Sequence, residues 1–232
     1  MYLRSAQATN GLLDSLPQIE GQLLLDNCEH IELRFNESLY QAGKPMQYVF
    51  FATGSIIALL TPIEDNGNSN LGIGLIGNEG MLGITLSLGI DTTPYHALVQ
   101  GSGSALRIPT PLFLSILEHS PVLQHLLRRF LYKSISQLVQ TAGCSHYHRI
   151  EPRLARWLLM TQDRAHSETF HLTHTFLANI LGVRRVGITY AANSIKKRMY
   201  ISYRRGDITI LDRGGLEALS CSCYGAVSES SC

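Results

Sequence analysis

The sequence predicts an α+β protein: an N-terminal roll of short β-strands, one long helix, then a C-terminal winged helix-turn-helix. Three observations carry this. Residues 31–109 alternate short apolar runs with turn residues. Residues 121–142 hold few helix breakers and carry an apolar stripe at three- and four-residue spacing. Residues 172–198, LTHTFLANILGVRRVGITYAANSIKKR, read as two short helices joined at Gly182.

The elements follow in order. Residues 12–28 form a short amphipathic helix, interrupted near Pro17 and Gly21. The strand runs are IELRF, QYVFFATGSIIALL, LGIGLIG, HALVQ and SALRIP, with a hairpin turn expected at Asp65-Asn66-Gly67. Pro111 begins a helical region. From Pro121 onward Leu123, Leu127, Phe130, Leu131, Ile135, Leu138 and Ala142 make the stripe of the long helix, either core-facing or a two-helix dimer seam. Gly143 is the expected helix stop, and Cys144 to His148 the expected hinge. Glu151-Pro152 starts another helix, RLARWLLMTQDRA, with proline in its first turn. After the helix pair, YISYRRGDITILD reads as a two-stranded wing around Arg205-Gly206-Asp207. The domain boundaries are therefore 1–120 for the roll, 121–147 for the long helix and hinge, 148–224 for the winged domain, and 225–232 for a flexible tail.

The 232 residues have a net charge of only +1, but the charge is unevenly distributed. Residues 1–120 hold four Lys/Arg against eleven Asp/Glu, whereas residues 121–232 hold fifteen against seven. Within 184–205 there are seven basic residues and no acidic one. A solvated helix face usually mixes both signs; a one-sign run is the footprint of a phosphate-contacting surface. No apolar run is long enough to span a bilayer, and the N-terminus lacks a signal-peptide core. A cytoplasmic protein with no membrane partner is expected. The chain shows no nucleophile–base constellation, phosphate loop or HExxH pair, so no enzyme is expected. Cys28, Cys144, Cys221, Cys223 and Cys232 are odd in number and scattered, which argues against a disulfide framework.

In the helix pair, Ala178, Gly182 and Ile188 have the spacing that lets one helix cross the other. Such a unit lays its second helix in the major groove of double-stranded DNA, with its N-terminal residues toward base edges. Arg184 and Arg185 open that helix. Thr173 is the expected N-cap of the first helix and His174 a phosphate contact. Thr189, Lys196, Lys197, Tyr203, Arg204 and Arg205 are further backbone-contact candidates.

IGNEGMLG at 76–83, RLARWLL at 153–159, LTHTFLANILGVRRVGIT at 172–189 and RRGDITILD at 204–212 together resemble the Crp/Fnr superfamily of bacterial transcription regulators. The resemblance covers nearly the whole chain. It implies a cyclic-nucleotide-binding-like jelly roll that senses an effector, a long dimerisation helix, a homodimer on a pseudo-palindromic site, and contact with RNA polymerase. It implies that Arg185 reads a guanine edge, while Val186 and Tyr190 stand where the family carries its next readers. A target site different from the familiar one is expected.

The resemblance also places an effector pocket. Gly77, Glu79, Gly80 and Met81 match its Gly-Glu segment; Thr92 and Thr93 fall where cyclic-nucleotide-binding members carry Arg-Ser. A gapless count back from RLARWLL puts the base-contacting positions at Leu138 and Val139, both apolar. A buried phosphate without a fixed cation is poorly compensated, so neither cyclic AMP nor cyclic GMP is expected. An unidentified small-molecule effector remains open. An iron–sulfur cluster is not expected, because only Cys28 lies near the N-terminus. Neither is haem, since His30, His96, His119 and His125 are isolated candidates. Cys221 and Cys223 lack evident partners unless His171 or His174 joins them, so no metal site is expected. The alternative function is a ligand-binding or protein-interaction module with a vestigial helix-turn-helix.

Overall fold

The structure, a computed structural model, describes residues 9–63 and 69–225. Two short helices, α1 (Gly11–Asp14) and α2 (Gln18–Asp26), open it. The break falls at Pro17, which precedes α2 in an extended conformation. Gly21 does not interrupt α2; it is buried within it. Asn10 caps α1 through Oδ1, which accepts from the Leu12 and Leu13 amides. Its Nδ2 donates to the Ala52 and Gly80 carbonyls, both at 2.8 Å, so one buried amide fastens the N-terminal helices to the roll.

The roll is two four-stranded antiparallel sheets. The strands are β1 (Glu29–Leu33), β2 (Ser38–Tyr40), β3 (Tyr48–Ala52), β4 (Ile56–Ile63), β5 (Ser69–Ile76), β6 (Met81–Leu82), β7 (His96–Gly101) and β8 (Gly103–Pro109). The sheets are ordered β1-β8-β3-β6 and β2-β7-β4-β5. Four of the five apolar runs each become one strand, and QYVFFATGSIIALL becomes two, β3 and β4. Strands β2 and β6 leave no mark in the sequence, because two or three residues are too few to show alternation. The expected turn at Asp65-Asn66-Gly67 lies outside the described residues. Phe51, Phe113, Met81, Leu82, Leu123 and Leu127 sit in the roll's core.

Helices α3 (Thr110–His119) and α4 (Pro121–Tyr147) follow. Ser120 caps α4 by accepting from the Leu123 amide, and Pro121 occupies the first helical position. Gly143 does not stop α4. Glycine without a positive φ only lowers helix propensity, and four more residues continue the helix. The joint shrinks to His148 and Arg149, both extended, before α5 (Ile150–Ala165).

The predicted stripe of α4 serves two surfaces. Leu123 and Leu127 are fully buried in the roll, and Phe130 and Leu131 pack against it. Ile135, Leu138 and Ala142 are exposed. The stripe is therefore not one seam, because the first half of α4 is covered by the roll and the second half leaves it.

The C-terminal domain continues with β9 (Thr169–His171), α6 (His174–Leu181), α7 (Arg185–Lys197), β10 (Ile201–Arg204), β11 (Asp207–Ile210) and α8 (Arg213–Leu219). The wing is a three-stranded sheet ordered β10-β11-β9. Its two-residue turn is Arg205-Gly206, with φ of +53° and +98°, and Asp207 belongs to the strand. This domain docks on the roll. Ile56, Ala58, Leu60 and Leu75 share an apolar cluster with Trp157, Leu158, Ile180 and Leu181. Trp157 Nε1 donates to Gln100 Oε1 at 3.1 Å, and Gln100 Nε2 donates to Thr161 Oγ1 at 2.9 Å.

Candidate nucleic-acid interface

Helix α6 begins where the sequence places it. Thr173 is its N-cap, and its hydroxyl accepts from the Phe176 amide at 3.1 Å. Gly182 ends it with φ +63°, ψ +39°, the left-handed cap that a glycine adopts without penalty. Arg184 is extended and caps α7, and Arg185 is its first helical residue. Ile188, Ala191, Ala192 and Ile195 bury one face of α7. The opposite face is open: Val186 is 57% and Tyr190 74% exposed. Arg184 and Arg185 are exposed as well, and neither forms an ion pair among the described residues. Asn193 belongs to this face although the sequence reading leaves it out. It lies three residues beyond Tyr190 and four beyond Thr189, and it is exposed.

The wing lies beside α7. Lys196 Nζ donates to the Tyr203 carbonyl at 3.4 Å, so this lysine is partly committed within the protein. Lys197, Arg204 and Arg205 are exposed. A Cβ on Gly206 would come within 2.4 Å of the His171 ring, so the turn needs glycine for space as well as conformation.

His174 departs from its expected role. Its ring stacks on Tyr203, with centroids 4.4 Å apart and planes 15° from parallel, and Nδ1 lies 3.1 Å from Thr189 Oγ1. Nε2 is buried without a hydrogen-bond partner among the described residues. It has no free edge for a phosphate; it joins α6, α7 and the wing. Burial first, and the Arg185 charge second, hold its pKa below the usual histidine value. Thr189 is similarly engaged, since its hydroxyl also donates to the Arg185 carbonyl at 3.1 Å.

Most of the residues expected to line an effector pocket are engaged within the protein. Glu79 accepts from the Gly77 amide at 3.0 Å and pairs with Arg164 of α5 at 2.8 Å. The Phe130 ring covers Gly80, where a Cβ would fall 2.1 Å from ring carbon Cε2. Met81 is fully buried in the core. Thr92 bridges Pro45, and the buried Thr93 hydroxyl accepts from the Tyr95 amide. Leu138 and Val139 are 45% and 62% exposed and sit on the outward side of α4. The residue that faces the roll is Gln137: its Oε1 accepts from the Leu75 amide at 2.7 Å, over Gly74. The positions that the gapless count picks out thus face away from the roll. A cavity of about 260 Å³ does open elsewhere in the roll, between Ser38, Tyr40, Lys44, Gln47 and Phe50.

Cys221 and Cys223 have partners, but not the expected ones. His171 is engaged with Asp207 and His174 with Thr189. Beside the two cysteines lie Cys144, in the last turn of α4, and His148, which caps that helix. The Cys144 thiol is held well below its ordinary range, first by its hydrogen bond with Cys221, and further by His148 and Arg156.

A β-roll, a long helix and a winged helix-turn-helix follow one another along the chain. Residues 152–219 match the Crp-like helix-turn-helix domain. No curated protein matches the chain. Among solved structures, FixK2 from Bradyrhizobium japonicum superposes with a TM-score of 0.69 at 12% identity, covering 84% of this chain and 98% of its own. The Crp/Fnr-family transcriptional regulator TTHA1359 from Thermus thermophilus gives 0.68 at 20% identity, covering 83% and 98%. The chain thus shares the fold of these structures, and the family match is confined to its C-terminal domain. No helix among the described residues is long and apolar enough to cross a membrane.

Proposed function

We propose that this protein is a dimeric DNA-binding transcription regulator that reads a pseudo-palindromic site with α7. The carrying observation is the open face of α7: Arg184, Arg185, Val186 and Tyr190 are exposed, and the two arginines are free of carboxylate partners among the described residues. Arg185 donates to guanine O6 and N7, a contact worth about 1–3 kcal/mol of discrimination. Val186 meets a thymine methyl, Asn193 offers an amide to adenine, and Arg204 and Arg205 hold phosphates. The unopposed basic run favours this over a vestigial helix-turn-helix, which has no need of unpaired arginines.

The roll as it stands is a poor cyclic-nucleotide site. Glu79 is spent on Arg164 and the Gly77 amide, and Thr92 and Thr93 provide no cation. We assign it another input. Contact with RNA polymerase is proposed from the family likeness alone.

Duplexes selected from a random pool, titrated by fluorescence anisotropy at several salt concentrations, test the reading. Arg185→Ala flattens the preference among sequences. Arg204→Ala weakens all sequences alike and lowers the salt slope by about one. Cyclic AMP leaves the midpoint unmoved. Salt-independent binding, or equal loss of specificity from both substitutions, overturns the DNA assignment, and a midpoint that shifts saturably with cyclic AMP overturns the reading of the roll.

A further inference from the structure

Three cysteines and a histidine, drawn from two stretches more than seventy residues apart in sequence, meet at the end of α4. Cys144 and His148 are one helical turn apart. Cys221 and Cys223 come from the turn after α8. The four ligand atoms all lie within 4.8 Å of one another. Cys144 Sγ is 3.4 Å from Cys221 Sγ, and Cys223 Sγ is 3.6 Å from His148 Nδ1. The cysteines are free thiols, and all three are buried.

We propose that Cys144, His148, Cys221 and Cys223 form a closed tetrahedral site for one zinc ion, which locks the joint between α4 and α5. Zinc–sulfur bonds of about 2.3 Å and zinc–nitrogen bonds of about 2.0–2.1 Å put tetrahedral ligand atoms about 3.5–3.8 Å apart. The cluster is thus close to ligand spacing before any ion enters. Three thiolates and a neutral imidazole are a donor set of structural zinc, with no position left for a substrate.

A second, independent feature points to an anionic site. Arg156 of α5 is only 3% exposed, yet it forms no ion pair among the described residues. Its Nη2 donates to Thr141 at 3.3 Å, and its buried Nε has no hydrogen-bond partner among those residues. Arg156 lines the same small cavity as Cys144. An unpaired buried cation is costly. A zinc ion with three thiolates and one imidazole carries one net negative charge, which the guanidinium balances, and bound thiolates accept its N–H groups. Binding releases the thiol protons to solvent, so the exchange needs no oxidant or reductant.

The place of the site gives it a role. Cys144 and His148 flank the last turn of α4, and Arg149 is the residue between the cap and α5. An ion there ties the C-terminal turn to the joint through which the roll and the winged domain are connected.

The test uses the full-length protein, expressed with zinc and purified under reducing conditions, with metal measured by mass spectrometry. The expected result is one zinc per chain, lost in Cys221→Ser and in Cys223→Ser but retained in Cys28→Ser. Cobalt added to chelator-treated wild type gives the visible bands of tetrahedral thiolate coordination. Chelation speeds trypsin cleavage after Arg149 and amide exchange over residues 143–150. Zinc well below one equivalent in the wild type, together with no cobalt bands, overturns the site whatever the variants do. So does a Cys144–Cys221 disulfide that forms in place of metal binding. None of these readouts involves DNA, so failure here leaves the DNA reading intact, and the reverse.

Discussion

At the scale of single residues, His174 shows how one side chain can stop being a ligand and become a joint. Its sequence position beside a helix N-cap suits a phosphate contact, but the fold stacks it on Tyr203 and hydrogen-bonds it to Thr189. Its folded pKa is depressed, by burial and then by Arg185. The unfolded chain therefore binds its proton first as pH falls below the ordinary value of 6.5. The stabilisation is present above that value and is lost as pH falls from there toward the folded pKa. Thermal melting of the wild type at about pH 7.5 and about pH 5.5 shows a drop in Tm, and His174→Gln, which cannot titrate, shrinks that drop. An unchanged difference between the two pH values overturns the account. The exposure of Arg185, Val186 and Tyr190 is legible in the sequence because a 3.6-residue period alone decides which side of α7 is buried. The side-chain surroundings of His174, Arg156 and Glu79 depend on other elements, and no local pattern reports them.

At the scale of elements, α4 carries two periodic patterns that the sequence overlays. One, through Leu123 and Leu127, closes the roll. The other is exposed: Tyr132 (64%), Ile135 (50%), Val139 (62%) and Ala142 recur at alternating three- and four-residue spacing. An exposed apolar stripe with that alternation suits the two-helix seam of the dimer proposed above. The difference sets two distinct outcomes. Ile135→Glu combined with Val139→Glu gives a folded monomer by analytical ultracentrifugation and weakens binding to a palindrome more than to a half-site. Leu127→Ala leaves assembly alone and destabilises the protomer by about 2–5 kcal/mol in urea. If the double glutamate variant stays dimeric, the seam lies elsewhere. The same helix explains the metal-binding cluster's invisibility in the sequence. Cys144 and His148 have a one-turn spacing on their own, but their partners arrive only because α8 packs on α5.

At the scale of the whole molecule, the boundaries drawn from sequence, 1–120, 121–147 and 148–224, describe connectivity rather than packing. The roll and the winged domain share one apolar cluster. Arg164 reaches from α5 to Glu79, and Gln100 from β7 to Trp157. Close approach depends on Gly72 of β5. A Cβ there would fall 2.6 Å from Ile180 Cγ2, 3.0 Å from the Ile180 carbonyl oxygen and 3.1 Å from the Trp157 ring. The flexible end of Ile180 can yield, but its backbone cannot without moving α6. Gly72→Val therefore costs about 1–3 kcal/mol of overpacking, concentrated at the contact between the two domains. Trp157 is the only tryptophan in the chain and lies in that contact, so its fluorescence reports docking, while far-UV circular dichroism reports the folding of both domains. In the wild type the two signals lose structure together in urea, as one cooperative unit does. In Gly72→Val the fluorescence transition moves to lower urea and separates from the dichroism transition. A variant whose two transitions shift together would show that the domains are coupled through α4 and its joint, with no need of the apolar contact. Coincident and unshifted transitions would mean that Ile180 relaxes freely and that the β5–α6 packing is loose.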